Sequence, residues 1–214
     1  MGDVSGKVLS VNASRVRLLR HGNQTVATGI LKQPVEGRVA VEGVNLQGDQ
    51  QADLESHGGP DRALYAYADE DYRWWSEALG RPLSPGKFGE NLTLAGIDVS
   101  GALIGERWRV GNTLLQVTSP RVPCNKLAMT MDDLTFVRQF AQALRPGAYL
   151  AIVESGDVAA GDAAEVVSKP DHKLTLAEMA RIYFFERERV SEMLVPELPE
   201  SWRDWALAQG EHAS

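Results

Sequence analysis

The sequence holds a single cysteine, Cys124, among 214 residues. One thiol cannot close an internal disulfide, so a disulfide-built scaffold is excluded and a reducing, cytoplasmic compartment is expected. The start, MGDVSGKVLSV, lacks the apolar core of a secretory signal, and no run of about 18 apolar residues offers a membrane span. Histidine is scarce too: His21, His57, His172 and His212 have no metal-ligand spacing. The phosphate-loop, dinucleotide-binding and zinc-protease signatures are absent, as is the G-x-S-x-G serine elbow. Basic residues are in deficit, 22 against 29 acidic, which leaves a net charge of −7. Such a chain repels nucleic-acid backbones and anionic lipid, so neither nucleic acid nor membrane is expected as a partner. An anionic small ligand would need basic side chains to converge locally.

What is present is strand grammar over the first 170 residues. GKVLSVNAS, QTVATGILKQPVEGRVAVEGV, RALYAYA and LLQVTS are short runs rich in Val, Leu, Thr and Tyr, broken by Gly and Pro. Gly-acid pairs in GALIGERWRVGNTLLQV and GDVAAGDAAEVV mark chain reversals, which makes Glu106 and Asp162 structural. Many short strands with regular turns predict a barrel or sandwich. Helical patterns interrupt them. DEDYRWWSEALG stops at Gly80, and TMDDLTFVRQFAQALRPG reads as one helix capped through Thr130 and Asp133. The aromatic stripes on these helices are expected in a core. Beyond residue 170 the strand signal fades, and three short helical patterns follow, the first opened by a Thr175–Glu178 capping box. The chain therefore reads as mainly β with helices (α+β): a β-rich domain over 1–170 and a three-helix module over 171–214.

Three polar islands interrupt the β-rich part. In ESHGGPDRALYAY, the Gly-Gly-Pro turn between His57 and Arg62 offers either a nest of open backbone N–H groups for an anion or a tight turn with Arg62 paired to Asp61 or Asp53. In GKFGENLTL, Gly89 permits close backbone approach, and the Asn91 amide can donate and accept at once. In SPRVPCNKL, Pro120 and Pro123 stiffen the approach to Cys124, and Arg121 and Lys126 flank it. A lone cysteine is commonly a small buried hydrophobe. This setting of cations before a helical turn favours a thiolate instead, a nucleophile and a soft ligand for Cu(I), Zn, Fe–S or molybdenum. From the residues alone both readings stay open.

Taken in order, GILKQPVEGRV, GDQQADLESHGGPDRALYAY, KFGENLTLAG, IGERWRVG and PRVPCNKLA resemble the MOSC domain, the molybdenum-cofactor sulfurase C-terminal domain. The tail from Lys173 resembles the three-helix module of the YiiM-like bacterial branch of that family. The resemblance implies a MOSC-type β-barrel and a molybdenum cofactor, Mo-molybdopterin. It implies that Cys124 is the metal ligand and reacting group, or carries sulfur, and that His57, Arg62 and Asn91 line the cofactor. Lys32, Arg121 and Lys126 join Arg62 as candidates to hold the cofactor phosphate. It further implies reduction of N-hydroxylated compounds such as hydroxylaminopurine-type base analogues. The alternative is a non-redox carrier of sulfur or cofactor to a partner enzyme. No C-x4-C-x2-C ferredoxin motif is present, so electrons are expected from a separate flavin or iron–sulfur reductase. The helical tail is expected to pack on the barrel or a partner and to stay clear of the metal site.

Overall fold

The computed structural model describes residues 5–22, 24–52 and 58–211. In chain order its strands are β1 (Ser5–Ala13), β2 (Arg17–His21), β3 (Gln24–Thr28), β4 (Gln33–Pro34), β5 (Val39–Glu42), β6 (Asn45–Leu46), β7 (Leu64–Ala68) and β8 (Leu92–Ala95). They continue as β9 (Arg107–Val110), β10 (Thr113–Ser119), β11 (Ala148–Glu154), β12 (Gly156–Val158) and β13 (Ala163–Ser168). The helices are α1 (Asp69–Ala78), α2 (Asn125–Met131), α3 (Phe136–Ala143), α4 (Leu176–Phe185) and α5 (Glu200–Glu211). Short 3-10 helices occupy Pro60–Arg62 and Arg187–Met193.

Seven strands pair in the order β13, β9, β10, β11, β7, β8, β1, and β1 returns to β13 through Gly6↔Ala164, which closes a barrel. Closure leaves no open edge in the ring. Every neighbouring pair in the ring is antiparallel except β7 and β8, which run parallel with Ala66 opposite Leu92. The expected β-barrel with added helices is the observed α+β architecture.

Strand β7, LYAYA, is buried along its whole length because the two faces of a strand serve two different cores. Leu64, Ala66 and Ala68 join the barrel interior with Val8, Leu92, Trp108 and Leu150. Tyr65 and Tyr67 turn outward into an aromatic cluster with Tyr72 and Trp75 of α1, Phe88, and Phe136 and Phe140 of α3. The aromatic stripes are thus core, as expected. The single helix expected over TMDDLTFVRQFAQALRPG is instead two. Asp132, in the left-handed region at φ 56°, ends α2, and the Asp133 carboxylate accepts the Thr135 N–H (2.8 Å) just before α3. Thr130 is no cap; its hydroxyl bonds back to the Leu127 carbonyl (2.7 Å) inside α2.

The C-terminal segment continues the barrel core. Leu176, Met179 and Ile182 of α4, Val190 and Met193, and Trp202 and Ala206 of α5 belong to the same hydrophobic cluster as the barrel strands. Its entry is fixed by Leu176 N–H to Ala102 O (2.9 Å) and by the Thr175 hydroxyl accepting the Glu178 N–H (3.1 Å), as the capping box predicts. The middle pattern of the tail forms a 3-10 helix rather than an α-helix. Glu106 and Asp162 are structural as expected: Glu106 accepts the Trp108 indole N–H (2.8 Å), and Asp162 accepts two bonds from Arg38 (2.7 and 3.0 Å). Among the described residues, no helix is long and apolar enough to cross a membrane.

Candidate functional site

Between β10 and α2 the chain passes through two buried prolines, Pro120 and Pro123, whose rings fix φ and hold the path. Cys124 follows in extended conformation as the N-cap of α2, and its carbonyl accepts the N–H groups of Leu127 (3.0 Å) and Ala128 (3.3 Å). The thiol side chain is half-buried. It opens on a cleft that Lys32, Arg62, Asn91, Arg121 and Lys126 also line. Six of the seven residues singled out from the sequence therefore meet in one cleft, while His57 lies outside the described residues. Among the described residues, four cations face a single carboxylate there, Asp49, in a chain whose net charge is −7. The basic residues have converged.

Each cation is placed differently. Lys32 is buried, and its Nζ lies 2.5 Å from both oxygens of Asp49. Burial pushes the lysine amine below its ordinary pKa, and the Asp49 carboxylate opposes that shift. Asp49 also accepts the Ser14 N–H (2.8 Å) and the Asn91 amide (3.0 Å). Arg121 is buried, donates to the Phe88 carbonyl and lies 5.0 Å from the Tyr65 ring centre, a cation–π contact. Burial works against its charge, but Tyr149, Tyr65 and Cys124 outweigh this and raise its pKa. The contact includes a hydrogen bond to the Cys124 side chain, and a buried cation beside sulfur favours the thiolate. Among the described residues, the Arg121 Nε has no hydrogen-bond partner. Arg62 leaves the short Pro60–Arg62 helix with its guanidinium 5.8 Å above the Tyr149 ring.

Asn91 and the glycines take roles the sequence did not reveal. The Asn91 oxygen accepts the Tyr65 N–H (3.1 Å), and its nitrogen donates to Asp49 and to the Asn12 carbonyl (3.3 Å). Its amide is thus engaged within the protein and sets Asp49, and through it Lys32. Gly89 does permit close approach, but to the protein's own wall: at φ +75° an added Cβ would lie 2.6 Å from Ile30 Cγ1 and 3.5 Å from Arg121 Nη1. Of the two readings of the Gly-Gly-Pro turn, the nest loses one of its N–H groups: that of Gly59 is taken by Gln51 Oε1 (3.2 Å). Gln51 also donates to the Arg62 carbonyl (2.9 Å), so it positions that arginine. Behind the cleft, buried Glu90 accepts from Gly86 N–H (2.6 Å), the Tyr72 hydroxyl (2.7 Å) and the Thr93 hydroxyl (2.8 Å). Burial raises its pKa against these bonds, and its second oxygen has no hydrogen-bond partner among the described residues.

A second cleft adjoins the first and shares Arg62, Cys124 and Tyr149 with it. Its remaining walls are Pro120, Val122 and Pro123 and, from the C-terminal segment, Tyr183, Ser201, Trp202 and Trp205. The tail thus packs on the barrel as expected, and it also helps to wall a cleft that Cys124 borders. Leu176, Met179 and Ile182 bury against the barrel and hold α4 close, so Tyr183, half-buried at the margin, forms part of the wall.

Among the described residues no group of three or more His, Cys, Asp or Glu side chains could hold a metal ion. One sulfur among four cations suits a different guest: an anionic, sulfur-rich group that brings most of a metal's ligands with it.

Comparison with known proteins gives this arrangement a family. The MOSC domain family matches residues 53–165. The uncharacterized protein YflK of Bacillus subtilis is 36% identical over 200 residues, covering 92% of this chain and 90% of its own. A crystal structure of YiiM from Geobacillus stearothermophilus superposes with a TM-score of 0.79 at 29% identity, covering 95% of this chain and 98% of that one. A Gibberella moniliformis protein named "Reductase" is 27% identical over 181 residues, with 83% of this chain matching 32% of its length. The chain belongs to the MOSC domain family and has the YiiM-like form of its fold. That family is associated with binding of the molybdenum cofactor.

Proposed function

We propose that the cationic cleft binds a molybdopterin-type molybdenum cofactor, with Cys124 as a sulfur ligand to the metal, and that the protein reduces N-hydroxylated compounds to amines. The observation that carries the reading is the meeting of Cys124 with Lys32, Arg62, Arg121 and Lys126 in one cleft of an acidic protein. When bound, the cofactor supplies the two-electron chemistry. The chain's own residues supply charge, orientation and shape. Arg62, Arg121, Lys126 and Lys32 offer charge-assisted bonds to a phosphate, each worth about 1.5–3 kcal/mol. Asn91 and Asp49 fix the Lys32 amine. Arg121 holds the Cys124 sulfur and favours its anion. Overall, R–NHOH with two electrons and two protons gives R–NH2 and water: the N–O bond breaks and the nitrogen is reduced. A chain with one cysteine cannot hold a four-cysteine iron–sulfur cluster, so a separate flavin or iron–sulfur protein is the proposed electron source. The fungal relative's name supports a redox role over a carrier role.

Two measurements test this. Protein purified from a host that makes the cofactor should contain molybdenum and pterin near one per chain. With an added reductant it should convert an N-hydroxylated base analogue to the amine. Absence of both metal and pterin would sink the cofactor assignment. Their presence without turnover would favour the carrier reading.

A further inference from the structure

From Val4 to Val35 the sequence has no aspartate or glutamate, although the chain holds 29 of them, and five basic residues fall in that stretch. Lys32 is tied to Asp49 inside the cleft. Three of the others, Arg15, Arg17 and Arg20, lie on or beside the β2–β3 hairpin, and all three are exposed. Elsewhere on the surface, Arg38, Arg73, Arg109 and Arg189 each hold a carboxylate. The side chains of Arg15, Arg17 and Arg20 have no hydrogen bond or ion pair among the described residues. Like charges left together on one short ribbon repel one another and cost stability.

The rest of the hairpin completes a patch. On its outer face Leu18 stands opposite Ala27 and Arg20 opposite Thr25, all of them exposed. Leu18 keeps 63% of its surface and Val16 39%. The inner face is anchored: Leu19 packs on the aromatic cluster, and His21 Nε2 lies 3.2 Å from Asp132, at the end of α2. At the base, the Ser14 N–H bonds to Asp49 (2.8 Å) and the Val16 N–H to Gln50 Oε1 (2.9 Å). Asp49, Gln50, and Thr28 and Gly29 at the end of β3 all line the cationic cleft. The arginines therefore sit on a fixed rim of the cleft that holds Cys124.

We infer that the β2–β3 hairpin is the docking surface for an acidic protein, the separate electron donor, whose task rests on the redox reading above while its charge rests on the arginines alone. Arginine interleaved with exposed aliphatic side chains is the composition of protein interfaces. Three exposed guanidiniums attract carboxylates and steer the encounter, which the acidic remainder of the chain would otherwise oppose. A nucleic acid or an anionic bilayer presents charge over a longer track and would meet that acidic remainder. A compact acidic face need cover only the hairpin. Docked there, the donor lies against the rim of the cationic cleft. The second cleft includes none of these residues and stays open. Each turnover oxidises two one-electron donors, or one two-electron flavin donor, which supplies the two electrons of R–NHOH reduction.

The test uses full-length, cofactor-loaded protein, an N-hydroxylated base analogue and two reductants: a small acidic [2Fe–2S] ferredoxin and dithionite. The triple variant Arg15→Glu, Arg17→Glu, Arg20→Glu should lower the second-order rate with ferredoxin at least about tenfold at low salt, the lower end of what charge steering supplies. Its turnover with dithionite should stay within about twofold, and its pterin content should match the wild type. The two proteins should converge near 1 M salt, where the Debye length falls to about 3 Å. If the triple variant does not fold, Leu18→Glu carries the test from a position 63% exposed and should slow the ferredoxin reaction several-fold. A separate readout needs no turnover: ferredoxin titrated into the protein should bind the wild type in a salt-sensitive way and the triple variant at least about tenfold more weakly. Binding lost in the variant while neither reductant drives turnover keeps the docking surface and removes the redox reading. Equal ferredoxin rates and affinities in wild type and variant overturn the surface, as does wild-type binding that is absent or insensitive to salt. An equal loss with dithionite also overturns it. Hairpin-dependent binding of a DNA duplex or of phosphatidylserine vesicles, without ferredoxin binding, would assign the patch to a polyanion and overturn the protein partner.

Discussion

Cys124 has two unlike sides. On one, barrel strands and their loops present buried charge: Lys32 locked to Asp49, and Arg121 held by Phe88 and Tyr65. On the other, helices appended after the barrel present rings and almost no charge. A charged wall recognises an anion through directed bonds whose partners must be fixed in advance. An aromatic wall recognises shape and flatness and tolerates variation.

The sharpest way to break this comparison is at the residue both sides share. Cys124→Ser keeps the size but offers a hard, poorly ionised oxygen. Reduction of N-hydroxylated substrate should fall by at least about 10⁴-fold, the scale seen when a reacting group is removed. Pterin content and melting temperature should stay near wild type. A Ser variant with wild-type turnover would leave Cys124 a structural residue.

Next comes the charged side alone. Asp49→Asn leaves the buried Lys32 without its anion and should cost about 3–5 kcal/mol of stability, read by denaturant unfolding. The aromatic side shares none of these bonds and should be untouched. A loss under about 1 kcal/mol would mean that solvent reaches the pair.

Arg62 is shared but half-buried, so its effect should be smaller and specific. Arg62→Ala should weaken cofactor retention by about 1.5–3 kcal/mol, roughly ten- to a hundredfold, and change folding stability by under about 1 kcal/mol. Pterin content after gel filtration, set beside melting temperature, separates the two. Equal pterin in both proteins would take Arg62 out of the site.

The smallest effect is one of slope. Glu90 backs the charged side, and burial raises its pKa above the ordinary carboxylate value. A carboxyl raised in this way contributes stability that is present at low pH and lost as pH rises through its folded value. Its share of that loss is at most about 1.4 kcal/mol per pH unit, the limit for one proton. Glu90→Gln cannot ionise and should flatten this part of the stability profile above the ordinary carboxylate range. Parallel profiles for the two proteins would show that Glu90 is not the group responsible.

Much of the charged side was legible in the sequence because its residues fall in short, order-preserving motifs. Lys32, Arg62, Asn91, Arg121, Cys124 and Lys126 were all named from such motifs, and all line one cleft. Asp49 was not named, although it lies in the quoted stretch GDQQADLE: an acid in a Gln-rich loop gives no sign of the lysine it will hold 17 positions away. Asn91 was read as an open amide because a loop asparagine usually is one; only the meeting of Tyr65, Asn12 and Asp49 around it uses up its bonds. The aromatic side was legible only as a hydrophobic tail. Tyr183, Trp202 and Trp205 follow helical spacing, and spacing alone does not distinguish a ring that fills a core from one that walls a cleft.

By itself the sequence determined the α+β class, a barrel or sandwich of short strands, the aromatic core, the tail's first cap and the cysteine turn. Each of these rests on period, propensity or a capping pattern within a few residues. The split of one expected helix at Asp132, the two buried faces of β7, the Lys32–Asp49–Asn91 network and the approach of α4 and α5 to Cys124 were decided by tertiary structure. These features depend on groups tens of residues apart brought within hydrogen-bonding or van der Waals range. Burial then sets the energy of each contact, a quantity that no local pattern contains.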